Sequence, residues 1–295
     1  MNLPRAYTIG AATHTGWVRV NNEDDFLVAS APSGMRPFVV CAIADGMGGA
    51  AGGAEASRLG LRALGVSLFD ASNDTPVGER IEAGFAAAAA RVYEEATAVP
   101  ALRGMGTTMS ALCLEGGTAH LGHVGDTRIY RLRDGTVEQL TTDHAVREPH
   151  NLLTRCIGGG HATCVVDHAD VELRAGDRFV LVTDGVWAAV APPALGKLAG
   201  RGEPQAAADA LVAAALRAGG NDNATVVVID VVDLALVTET RAVELPRDER
   251  PGTRQLWPRP RSLRSPPWPW VLWGTAAVLV TIALLQWGGI DVFGP

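Results

Sequence analysis

Hydrophobic positions along this chain come in short runs broken by small or acidic residues, and in a few longer stretches of helical period. Tyr7 to Thr13 reads as a strand, Asp25 to Ala29 as a second and Phe38 to Ala44 as a third. The third, F-V-V-C-A-I-A, has the length and β-branched content of a buried strand that ends in Asp45-Gly46. Two helical patterns follow, Gly53 to Phe69 and Pro76 to Thr97, both dominated by helix formers. Strand character returns from Gly104, and Thr118 to Val124 and Thr127 to Leu132 flank Gly125-Asp126. Asp134-Gly135 has the residues of a tight hairpin turn. Leu140 to Gly160 lacks strong periodicity and reads as loop and short helix. Val165 to Leu173 and Arg178 to Thr183 read as strands, Pro204 to Arg217 as a helix and Ala224 to Val232 as a buried strand. No internal repeat is present.

The last part of the chain has a different pattern. Trp268 to Ile290 is almost free of charge, long enough to span a bilayer, and carries Trp268, Trp270, Trp273 and Trp287 near its ends as interface anchors. Arg254, Arg259, Arg261 and Arg264 precede it, and no basic residue follows. Positive-inside logic then puts the N-terminal side in the cytoplasm. The expected organisation is a domain over 1–235, an Arg/Pro-rich linker over 236–267, a transmembrane helix over 268–290 and a short tail over 291–295. The N-terminus has no basic-then-apolar leader. The expected location is the inner (cytoplasmic) membrane, single-pass, with the folded domain facing the cytoplasm.

Composition narrows the function. The 295 residues are 47% hydrophobic, enough for one large domain or two small ones. A net charge of −7 argues against nucleic acid as a partner, because phosphate backbones need a basic face. Cys41, Cys113, Cys156 and Cys164 form no C-x-x-C pair, and Cys41 and Cys113 lie in apolar runs. They read as reduced, buried thiols.

The candidate chemistry is carboxylate. Asp45, Asp126, Asp184 and Asp222 fall at or beside predicted strand ends, each next to Gly or Asn, and Glu23 and Asp24 lie in another connection. Converging at one end of a sheet, such groups repel unless cations neutralise them. An all-oxygen set suits Mg²⁺ or Mn²⁺ better than Zn²⁺. Arg19 is a salt-bridge partner for these acids or an anion clamp beside a metal site.

These residues occur in a recognisable order: R-x-x-N-E-D (Arg19 to Asp24), D-G-M-G-G (Asp45 to Gly49), G-M-G-T-T (Gly104 to Thr108), G-D-T-R (Gly125 to Arg128), T-D-G (Thr183 to Gly185) and D-N-A-T (Asp222 to Thr225). The order and spacing resemble the bacterial metal-dependent Ser/Thr protein phosphatases of the protein phosphatase 2C-like family. The resemblance implies an α+β fold, a four-layer α-β-β-α sandwich of two antiparallel sheets flanked by helices. It implies two Mn²⁺ or Mg²⁺ ions, bridged by Asp45, with the Gly46 carbonyl on one and Asp184 and Asp222 on the other. Glu23 and Asp24 would act directly or through water. Asp126, with Asp184, would hold a third, weaker ion, and Arg19 would grip the substrate phosphate. A bridging hydroxide would attack phosphorus in line, without a phosphoenzyme. The implied partners are proteins phosphorylated on Ser or Thr and a cognate Ser/Thr kinase.

Two departures stand out. Met47 occupies the position of a histidine in eukaryotic relatives and cannot donate a proton. The segment from Thr142 to Gly158 is short where many bacterial relatives carry a longer flap, which predicts a more open active-site face. His14 and His144 read as structural, His120, His123, His161 and His168 show no ligand spacing, and Trp187 reads as packing. The rival readings are a non-catalytic membrane-anchored phosphoprotein-binding module of the same fold and a metal phosphodiesterase acting on nucleic acid.

Overall fold

In the computed structural model, the described residues are 2–4, 6–31, 36–48, 52–146, 152–234 and 240–242. The chain begins with β1 (Asn2–Pro4), β2 (Tyr7–His14), β3 (Asp24–Ser30) and β4 (Phe38–Met47), followed by the helices α1 (Gly52–Asp70) and α2 (Val77–Ala98). Strands then alternate through β5 (Gly106–Thr107), β6 (Met109–Glu115), β7 (Thr118–Val124), β8 (Arg128–Arg133) and β9 (Thr136–Gln139). After β10 (Ala145–Val146), β11 (Leu152–Leu153) and β12 (Ile157–Gly158) come β13 (Asp167–Glu172) and β14 (Arg178–Val182). Three helices, α3 (Asp184–Trp187), α4 (Pro192–Ala199) and α5 (Pro204–Arg217), lead to β15 (Ala224–Val231), and β16 (Thr240–Ala242) pairs with β1.

Two antiparallel sheets carry the molecule. One runs β12-β5-β4-β6-β7-β13 with β3 also on β4, and the other runs β2-β15-β14-β8-β9. The period-2 alternation of strand side chains explains why the central strands are apolar without a break. On β4, Val40, Ala42 and Ala44 pack with Leu64, Ile81 and Phe85 of α1 and α2. Val39, Cys41 and Ile43, on the other face, pack with Phe179, Leu181, Val227 and Ile229 of the second sheet. The outer face of that sheet, including Val180, Val182, Val226 and Val228, packs with Leu195, Ala208 and Leu211 of α4 and α5. The result is helix, sheet, sheet, helix, with three apolar cores between four layers.

The helices α1, α2 and α5 lie within one residue of their predicted positions. Two expectations need correction. The strand predicted to stop before Asp45 continues to Met47, because Gly46 and Met47 pair with Thr107 and Gly106 of β5. The segment 140–160 shows no helix among its described residues; Ala145 and Val146 pair with Leu153 and Leu152, and Ile157-Gly158 joins β5. Helix α4 was not anticipated, since its eight residues, P-P-A-L-G-K-L-A, are too few for a clear period. Cys41 and Cys113 are buried free thiols, as expected. Within the expected linker, Thr240–Ala242 is strand. The expected span, 268–290, and tail, 291–295, lie outside the described residues. Among the described residues no helix is long and apolar enough to cross a membrane.

Candidate active site

The cross-strand register of β3 and β4 sets Asp24 directly opposite Asp45. Two threonines hold Asp45 in the sheet. Thr108 Oγ1 accepts from the Asp45 N–H at 3.1 Å, and Thr107 Oγ1 and the Thr108 N–H donate to the Asp45 carbonyl, each at 2.9 Å. That is the physical content of the G-M-G-T-T stretch: it fixes the main chain of one acid. Gly46 follows, with its N–H on the Glu23 carbonyl at 3.1 Å. A Cβ there would stand 2.0 Å from the Gly53 carbonyl oxygen, so the start of α1 approaches β4 only because residue 46 is glycine. The Glu23 carboxylate lies against Gly53 on the same side.

The second sheet supplies the other acids. Asp184 opens α3 directly after β14, and Asp222 precedes β15. Asp24 ties the two sheets together: its Oδ2 accepts from Thr183 Oγ1 at 2.8 Å and from Thr225 Oγ1 at 2.7 Å. Asn223 is a second tie. It donates to the Thr15 and Asn21 carbonyls at 2.8 and 2.9 Å and accepts from the Glu23 N–H at 2.8 Å, which fixes the loop carrying Arg19. Arg19 itself is half-exposed and donates to Asp222 Oδ2 at 2.8 Å. Thr183, Thr225, Thr107, Thr108 and Asn223 were not singled out in the sequence reading, although every one lies inside a quoted motif.

Electrostatics mark the cluster. Burial raises the pKa of Asp24 to about 7, against the two threonine hydrogen bonds, and the nearby Asp184 and Asp222 push the same way. Burial pushes Asp45 well above the usual carboxylate range, aided by the charges of Asp24, Asp184, Asp126 and Asp222. Asp184 is raised by burial and by Asp222, with a hydrogen bond to the Asp45 carboxyl pulling it down. Glu23 is raised by its partial burial, with Arg19 opposing. Burial and mutual repulsion thus favour the neutral form of Asp24, Asp45 and Asp184 when no cation is bound.

The residues fit a hard divalent cation. The donors are all oxygen, and Asp24 Oδ1 is buried with no hydrogen-bond partner. Among the described residues no group of three or more His, Cys, Asp or Glu side chains is drawn together closely enough to hold a metal ion as it stands. The acids are neighbours, with Asp45 feeling the charge of all four of the other aspartates.

The Gly125-Asp126 turn is held from two sides. Trp187 of α3 donates its indole N–H to the Asp126 carbonyl at 2.9 Å, and the Arg128 guanidinium lies 3.8 Å above that ring. Arg128 also makes a two-pronged ion pair with Asp143, at 2.9 and 2.8 Å. On the other side the His144 N–H donates to the Gly125 carbonyl at 2.7 Å, and its Nδ1 accepts from the Gly125 N–H at 3.1 Å. His144 Nε2 pairs with Asp167 at 2.9 Å, and Arg155 grips the same carboxylate at 2.6 Å. The structural reading of His144 holds. Trp187 does more than pack. His14 accepts from the Gly16 N–H at 2.9 Å and is likewise structural.

The family profile described as protein phosphatase 2C matches residues 19–217. The chain is 37% identical over 247 residues to the serine/threonine protein phosphatase PstP of Mycobacterium tuberculosis, covering 76% of this chain and 45% of that relative. It thus spans less than half the length of that protein. To the protein phosphatase PhpP of Streptococcus pneumoniae it is 30% identical over 241 residues, covering 75% of this chain and 96% of the relative. A crystal structure of the PstP catalytic domain in complex with two manganese ions superposes with a TM-score of 0.68 at 32% identity, covering 77% of this chain and 99% of that one.

Proposed function

This chain belongs to the protein phosphatase 2C family, and from that premise we propose that it is a metal-dependent hydrolase of phosphoserine and phosphothreonine in proteins. The observation that carries the reading is the gathering of Asp24, Asp45, Asp184 and Asp222 where the two sheets meet, next to the Arg19 guanidinium. Asp45, the Gly46 carbonyl, Asp184 and Asp222 would hold two Mn²⁺ or Mg²⁺ ions, with Glu23 and Asp24 beside them and Asp126 with Asp184 at a third. When bound, such ions lower the pKa of water, neutralise phosphate charge and stabilise the leaving oxygen.

The chain's own residues do the rest. Arg19 presents a planar two-pronged donor to a phosphate. It is already aimed at the cluster by Asp222, so a phosphate only has to share that donor. Thr107 and Thr108 hold the main chain of Asp45, and so the point from which its carboxyl reaches the site. Thr183 and Thr225 keep Asp24 oriented across the sheet interface. Met47 donates no proton, so a water held at the metal site would supply the proton that the leaving oxygen needs.

The proposal extends to location and role. The apolar segment 268–290, with arginines before it and none after, supports a single-pass anchor in the inner membrane with the phosphatase domain in the cytoplasm. There it would oppose a Ser/Thr kinase on substrates near the membrane, because tethering raises the local concentration of such substrates. The test is turnover of a phosphothreonine peptide by the full chain with Mn²⁺, with EDTA, and with Asp184→Ala. Metal-dependent turnover that the substitution abolishes is expected. A folded chain that binds the phosphopeptide and does not turn it over would replace the enzyme reading with that of a phosphoprotein-binding module.

A further inference from the structure

The loop that carries Arg19 also carries three exposed apolar side chains: Trp17 is 66% exposed, Val18 65% and Val20 91%. Single exposed hydrophobics are ordinary on any surface. Three within four consecutive residues, bracketing the Arg19 guanidinium that faces the carboxylate cluster, are a different arrangement. Trp17 is held in place. Its backbone N–H donates to the Gly220 carbonyl at 2.7 Å and its indole N–H to the Leu216 carbonyl at 3.2 Å. Its ring meets His14 edge-on at 5.0 Å between centroids and lies against the Gly220 backbone. Asn223 fixes the loop at Thr15 and Asn21, on either side of the apolar residues. The fold thus holds an apolar surface open to solvent and spends none of it on its own core.

We propose that Trp17, Val18 and Val20 form a recognition rim for the polypeptide flanking the phosphorylated side chain, favouring apolar neighbours to the phosphoresidue; this rests on the phosphatase reading above. A phosphate drawn to Arg19 places its own chain at this loop by charge complementarity. An extended segment advances about 3.3 Å per residue, so the residues immediately before and after the phosphoresidue fall within reach of Val18 and Val20. Asp222 and Glu23 stand beside Arg19 and disfavour both acidic flanking residues and an anionic lipid surface. The preorganised Trp17 lowers the entropy cost of binding, because its rotamer is already set.

The experiment uses the full chain with Mn²⁺ and three substrates: p-nitrophenyl phosphate, a phosphothreonine peptide with leucine on both sides, and a peptide of equal charge with serine on both sides. The wild type is expected to favour the leucine peptide in kcat/KM by about tenfold, the size expected for covering one exposed valine. The double variant Val18→Ser, Val20→Ser is expected to lose that preference while hydrolysing p-nitrophenyl phosphate within about twofold of wild type. A wild type without the preference, or a variant that keeps it, overturns the proposal. If the variant instead loses binding to vesicles containing phosphatidylglycerol while the peptide preference is unchanged, the loop is a lipid contact and the proposal is wrong. Absence of turnover on all three substrates by the wild type overturns the phosphatase reading itself, a separate result.

Discussion

At Asp24 one buried carboxyl meets two hydroxyls from two different stretches of chain and keeps an oxygen without a partner. A lone buried carboxylate is costly, so in the absence of a cation the folded state favours the protonated form. Its folded pKa of about 7 lies above the ordinary aspartate value of 3.8. The folded chain therefore binds more protons than the unfolded chain between those values. Stability from this group is complete below about pH 4 and is lost as pH rises through 7, and the raised Asp45 and Asp184 act in the same direction. In EDTA the Tm should fall between pH 5 and pH 8, and Mn²⁺ should restore it at the upper end. A metal-free Tm that rises over this interval would show that the cluster is not buried as described.

Among the elements, the short ones position the chemistry. Helix α3 has four residues, yet Asp184 begins it and Trp187 ends it, so one turn carries both a candidate ligand and the indole that holds the Asp126 carbonyl. In the Thr142–Gly158 segment, Asp143 and His144 bind Arg128 and Gly125. Trp187→Phe keeps a ring under Arg128 and removes the N–H. Losing a donor to a buried carbonyl costs about 1–3 kcal/mol. A domain of this size loses about 2–4 °C of Tm per kcal/mol, so a fall of roughly 2–12 °C is expected by calorimetry of the metal-free chain. An unchanged Tm would mean that the bond does not hold the turn. The continuation of β4 through Asp45 is a similar matter of small elements, since two residues of β5 supply the pairing that keeps Asp45 in extended backbone.

For the whole molecule, the four layers put the acids at the junction of two sheets, where Asp24 and Asp45 come from one and Asp184 and Asp222 from the ends of strands in the other. The anchor proposed for 268–290 adds a second requirement, that this junction work beside a membrane. The full chain should sediment with membranes and resist extraction by alkaline carbonate, and a chain lacking 268–290 should be released. Release of the full chain by carbonate would rule out a spanning helix.

Periodicity and composition determined the long elements. The apolar runs at Phe38, Arg178 and Ala224 are strands by their short length and β-branched content, and α1, α2 and α5 are helices by their longer stretches of helix formers. The order of the acidic motifs determined the family and nominated Arg19, Glu23, Asp24, Asp45, Asp126, Asp184 and Asp222. Only the tertiary structure decided how they are held. Thr183 and Thr225 lie 159 and 201 residues from Asp24, and a local pattern carries no information about a hydrogen bond across that separation. Likewise 140–160 has no clear period in the sequence, and within its described residues His144 is placed by bonds to Gly125 and Asp167 that no local pattern announces. Hydrophobic patterning is set by burial and is visible residue by residue, whereas polar satisfaction is set by partners that only the fold brings together.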